Sequence, residues 1–121
     1  MQIRLRVVQY RDHNALAISE MDDRPWDLPR LIFHSQYRAT LTIELVKKHS
    51  SNIDLSWDGT LYTVGEISDK VWGIINTMSK IKRMDRDLYD ALLGKVSDLD
   101  AFESLLTPYA VLDKLSNKDK Q

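Results

Sequence analysis

Ala39-Thr40-Leu41-Thr42-Ile43-Glu44-Leu45-Val46-Lys47 is the stretch whose reading decides how many strands this chain has. Leu41, Ile43 and Leu45 alternate with Thr40, Thr42 and Glu44, the period of two that puts successive side chains on opposite faces of a strand. Phe33, Tyr37, Leu41 and Leu45 also recur every four residues, as they would along one side of a helix. The β-branched content of the stretch and the strand-like pattern that follows it favour the first reading, so a long strand centred on 39–47 is predicted. Residues 31–33 form a short strand or lead into it.

Beyond it lies the strongest local signal. Ile53, Leu55 and Trp57 alternate with Asp54 and Ser56, Asp58-Gly59 offers a two-residue type I′ turn, and residues 60–64 return. In that register Trp57 faces Thr60, Leu55 faces Tyr62 and Ile53 faces Val64, so the turn and the hydrophobic pattern agree. The opposite face, with Asp54, Ser56, Leu61 and Thr63, is mostly polar. A sheet with one apolar face needs helices on that face alone.

Period 3.6 begins near residue 66. Ser68 is a capping residue, Asp69 a first-turn acid, and Val71, Ile74, Ile75 and Met78 form one stripe, predicting a helix over 69–83 with Trp72 on its flank. A second helical stretch carries Leu88, Ala91 and Leu92 and ends near Gly94. A third starts at Ser97 or Asp98 and holds Phe102, Leu105 and Leu106. Pro108 lacks the N–H a helix interior requires, so this helix is expected to stop near Thr107 or restart at Pro108.

Toward the N-terminus, Ile3, Leu5 and Val7 alternate with Arg4 and Arg6, residues 11–14 supply turn formers, and Ala15 to Ser19 return as an antiparallel partner. Val8 interrupts the alternation, as a bulge would. Residues 21–30 contain Pro25 and Pro29 around Trp26 and read as a loop whose tryptophan is pinned to the core or offered to a partner. The expected fold is therefore α+β: an antiparallel sheet of four or five strands over residues 2–64, covered on one face by about three C-terminal helices over 69–115. One domain over 1–115 with a flexible tail over 116–121 follows from the size and from the polar ending.

Composition narrows the function classes. The 121 residues carry 17 Lys and Arg against 18 Asp and Glu, so no global field draws the chain to nucleic acid or an anionic membrane. The absence of cysteine removes disulfides and thiolate chemistry and fits a reducing cytoplasm. The apolar runs are far shorter than the ~20 residues a membrane helix requires. Neither a Gly-x-Gly-x-x-Gly loop nor a Walker sequence is present, and strands that precede helices argue against a dinucleotide fold.

Few residues point to chemistry. His13, His34 and His49 fall in or beside turns without the spacing of a zinc helix. Solvated turn histidines are the plain reading, and two of them converging with a carboxylate as a general acid/base is the sharper one. Glu20, Asp22, Asp23 and Asp27 cluster near a strand end, where a nuclease could hold Mg²⁺, although a surface loop is an ordinary place for aspartates. Glu44 and Lys47 lie on opposite faces of the predicted strand, the wrong geometry for a shared metal site.

Lys80, Lys82, Arg83 and Arg86 form a basic cluster at a helix end, followed by residues 85–103 with six acids against two bases. Segregated charge of this kind can steer a protein partner. Three tryptophans and five tyrosines add candidate anchors, Trp26 and Trp72 among them. The expected function is a small non-enzymatic protein-binding module acting stoichiometrically, as an inhibitor, an immunity-type protein or an accessory protein. It would bind an acidic protein through Trp26, Trp72, Lys80, Lys82, Arg83 and Arg86, without cofactor or metal. Nucleic-acid binding ranks second and a small metal- or His-dependent nuclease third. Homodimerisation through an open sheet edge is a further expectation.

Overall fold

The computed structural model describes residues 1–20, 31–50, 62–81 and 84–119. Among these are four strands and four helices, in the order β1 (Gln2–Gln9), β2 (Asn14–Glu20), β3 (Leu31–Phe33), α1 (Gln36–His49), β4 (Tyr62–Glu66), α2 (Asp69–Lys80), α3 (Arg86–Gly94) and α4 (Leu99–Asp119). The sheet is antiparallel in the order β3-β2-β1-β4. The α+β fold inferred from the sequence is the fold observed.

The N-terminal hairpin follows its pattern. Leu5 sits opposite Ile18 and Val7 opposite Leu16, and Leu16 in turn opposes Phe33. All five are buried on the face that meets the helices, whereas Arg4 and Arg6 are half-buried on the other. The ladder continues in register through Val8 and Gln9, so no bulge marks the break in alternation. Tyr10 N–H donates to the His13 carbonyl at 2.8 Å and closes the turn.

The predicted strand at 39–47 is a helix, α1. Ala39, Leu41, Thr42, Ile43, Leu45 and Val46 are all buried. That set covers a wide arc of the helix because α1 packs against β2 and β3, against α2, and against α3. A helix covered on several sides needs no polar stripe toward solvent, so its 3.6-residue period fades and a chance alternation of Thr with Leu and Ile looks like a strand. Thr42, fully buried, resolves its own conflict: its hydroxyl donates to the Arg38 carbonyl one turn back at 2.7 Å. The sheet therefore has no strand there, and one of its covering helices lies between β3 and β4 rather than after the strands.

Of the hairpin expected at 53–64, the turn and the first arm lie outside the described residues. The returning arm is β4, which pairs with β1 along Gln2↔Glu66, Leu5↔Thr63 and Arg6↔Tyr62. After β3 the chain thus passes through α1 and reaches the opposite edge of the sheet.

The later helices agree with their caps. Ser68 accepts from Val71 N–H at 3.2 Å, Asp85 from Leu88 N–H at 2.7 Å and Asp98 from Ala101 N–H at 3.2 Å. Val71, Ile74, Ile75 and Met78 are buried as a stripe, and α2 ends at Lys80 rather than at 83. α4 neither stops nor restarts at Pro108 but runs through it to Asp119. Pro108 and Ser104 are both exposed, so water can satisfy the carbonyl that the proline leaves without a helical donor. α1 and α2 lie on the sheet, α3 packs on α1 and α4 on α2, around a core that includes Phe33, Leu41, Leu45, Ile75, Leu92 and Phe102.

Candidate functional site

The basic cluster is only partly assembled. Lys80 is exposed at the last turn of α2 and Arg86 is exposed at the first residue of α3; Lys82 and Arg83 lie outside the described residues, as does Trp26. Trp72 is half-buried and packs on the core, so it is a wall of the fold more than an anchor. Of the acidic group near 20–27, only Glu20, half-buried at the end of β2, is described. Glu44 and Lys47, expected on opposite faces of a strand, stand three residues apart on α1.

Arg86 gains a setting that its place in the charge run did not predict. Its guanidinium lies 5.1 Å from the Tyr37 ring centroid and 5.5 Å from that of Tyr89. The two rings are 5.1 Å apart and tilted by 44°. Tyr37, on the first turn of α1, is 40% exposed, whereas Tyr89 on α3 is 7% exposed. The cation therefore rests over an aromatic pair that joins two helices, within the separation at which ring quadrupoles attract it. Arg86 also reaches Asp90 one turn on, Nε to Oδ1 3.5 Å. Burial pushes the Tyr89 phenol up, while the adjacent Arg86 pulls the other way. The phenol stays neutral near pH 7 and able to donate. Sequence reasoning missed Tyr37 and Tyr89 because their meeting depends on α3 packing against α1.

Behind this surface, Arg38 of α1 donates from Nη1 to the carbonyl of Ile81, the residue that ends α2, and its guanidinium lies 5.9 Å from the Phe33 ring centroid. A cation at a helix C-terminus complements the partial negative charge there. Burial lowers the Arg38 pKa from its usual value. This arginine joins two helices and is structural.

The histidines divide. His49 is the last residue of α1, beside the loop that follows; it is half-buried and hydrogen-bonds the Val96 carbonyl at 2.8 Å. His13 and His34 do converge: His13 Nε2 is 3.1 Å from His34 Nδ1, and His13 Nδ1 is 2.7 Å from Asp12 Oδ1. Tyr10 stacks on His13 with centroids 5.3 Å apart and planes 10° from parallel. The hydrogen bond from His13 holds the Asp12 carboxyl below its usual range.

An open depression beside the start of α2 mixes Lys48 with Glu66 and Asp69, and so selects neither an anion nor a cation. Among the described residues no helix is long and apolar enough to cross a membrane. Compared with family models, curated proteins and solved structures, the chain finds no match in any of the three.

Proposed function

We propose that this chain is a small protein-binding domain that acts stoichiometrically, as an inhibitor, immunity-type or accessory protein, with Arg86, Tyr37 and Tyr89 at the centre of its contact surface. The observation that carries this reading is the exposed Arg86 guanidinium over the Tyr37–Tyr89 pair. Arginine and tyrosine dominate the binding energy of protein interfaces, and rings held by packing lose little freedom on docking. Lys80, Lys82 and Arg83 would extend the surface and steer an acidic partner. Phosphates are the less suitable ligand, because Asp85, Asp87 and Asp90 are exposed around Arg86 and would repel a nucleic-acid backbone. The lack of cysteine supports a cytoplasmic setting.

The test is a pull-down from native extract with the tagged chain, with and without nuclease, beside the R86E/Y37A variant. One stoichiometric protein, retained after nuclease and lost from a folded variant, is the expected result. Recovery only through nucleic acid, or equal recovery by the variant, would overturn the reading. Nucleic-acid binding stands second, and self-association is a separate question. The sheet edges among the described residues, β3 and β4, are three and five residues long, and short edges are poor templates for strand addition. Light scattering over a hundredfold concentration range decides whether a dimer forms.

A further inference from the structure

We infer that His13 and His34 form a two-imidazole binding site for a divalent transition-metal ion, zinc or copper, at one end of the sheet. The backbone places both rings. His13 immediately precedes β2 and His34 immediately follows β3; these strands are antiparallel neighbours, so the start of one lies beside the end of the other. The turn that carries His13 is closed by its own hydrogen bond, and the flat stack with Tyr10 holds the ring plane. His13 is 40% exposed, which leaves the pair open to an ion from solution.

The protonation pattern suits a metal. A carboxylate only accepts, so Asp12 takes its hydrogen bond from His13 Nδ1–H. The Nε2 of a neutral His13 is then a lone pair, and it faces His34 Nδ1 at 3.1 Å. At present those two nitrogens share one hydrogen. If His34 moves its hydrogen to Nε2, both facing nitrogens become donors of electron pairs, and no proton need leave the neutral rings. With Zn–N distances of ~2.0–2.1 Å, tetrahedral coordination sets two ligand nitrogens ~3.3 Å apart, close to the spacing present, and each ring swings by roughly 35° to turn its lone pair from the facing nitrogen to the ion. Asp12 then occupies the position of the carboxylate that orients and strengthens a ligating histidine.

Ligand type decides which ions fit. Imidazole suits zinc and copper, whereas magnesium and calcium require oxygen ligands. Among the described residues no three His, Asp or Glu side chains are arranged to hold one ion, so these residues supply two ligands and leave positions for water. The pair shares no residue with the Arg86 cluster, and its test does not depend on a protein partner.

Calorimetric titration of the full chain with zinc chloride at neutral pH should show one ion bound per chain, with copper tighter and magnesium giving no heat. H13Q and H34Q should each weaken zinc binding by about tenfold or more, D12N by about 10–100-fold, and H49Q not at all. In the unmodified chain, zinc should shift the imidazole NMR signals of His13 and His34 and leave those of His49, a measurement that needs no variant to fold. No binding at millimolar zinc, binding that survives both H13Q and H34Q, or unmoved His13 and His34 signals would each overturn the inference.

Discussion

His49 Nε2 donates to the carbonyl of Val96, 47 residues further along the chain, at 2.8 Å. The bond ties the last turn of α1 to the connection between α3 and α4, and Val96 is itself buried. A backbone carbonyl in such a place is costly to leave unpaired. H49L is therefore expected to destabilise the fold by about 1–3 kcal/mol, with H49Q recovering part of the loss through its amide N–H. Urea denaturation at unchanged slope measures both.

The helical state of 36–49 makes Leu41 and Leu45 neighbours on one side of α1, and both are fully buried. L45A should cost about 2–5 kcal/mol through lost burial and the cavity left behind, whereas exposed K48A should stay within about 0.5 kcal/mol. Backbone chemical shifts should be helical without interruption across 36–49. Extended shifts there would restore the strand and require a different sheet.

Asp85 and Asp87 are both acids at the start of α3, but only Asp85 accepts from a free helix N–H, that of Leu88 at 2.7 Å. D85A should lose about 0.5–2 kcal/mol and D87A less, about 0.3–1 kcal/mol at most, since its favourable term is the helix dipole alone. Thermal melts of the two variants, run side by side, give the comparison.

Lys70 of α2 forms ion pairs with Asp100 and Glu103 of α4. The lysine holds the Asp100 carboxyl below its usual pKa, and Asp100 first, then Glu103, holds Lys70 above its own. Because the folded-state pKa of Asp100 is depressed, its contribution is complete above the unfolded carboxylate value and is lost as pH falls through the depressed one. Because that of Lys70 is raised, its contribution is complete below the unfolded lysine value and is lost as pH rises through the raised one. Carboxyl ¹³C titration should put Asp100 below a free aspartate, and K70A should return it to the ordinary midpoint. Both groups are exposed, so added salt should shrink the difference.

Where pattern and packing asked the same thing of a residue, the sequence could be read directly. Ser68 and Asp98 cap the helices they precede, Val71 to Met78 form the buried stripe of a helix with one covered side, and Ile3, Leu5 and Val7 alternate because β1 has a single apolar face. These are local signals, set by residues within a turn or two of one another, and they sufficed for the α+β class, the N-terminal hairpin and the start of α2.

Tertiary structure decided the rest. α1 is covered on several sides, so burial, not amphipathic spacing, holds it helical, and Thr42 meets its hydrogen-bonding need one turn back rather than across a sheet. Arg86 stood out by its charge, but Tyr37 and Tyr89, which give that charge its setting, come from helices that start 50 residues apart and meet only when α3 packs on α1. His13 and His34, 21 residues apart, are brought together by the pairing of β2 with β3. Side chains distant in sequence leave no periodic trace of their meeting, because periodicity records which face of an element is buried and not which neighbour covers it.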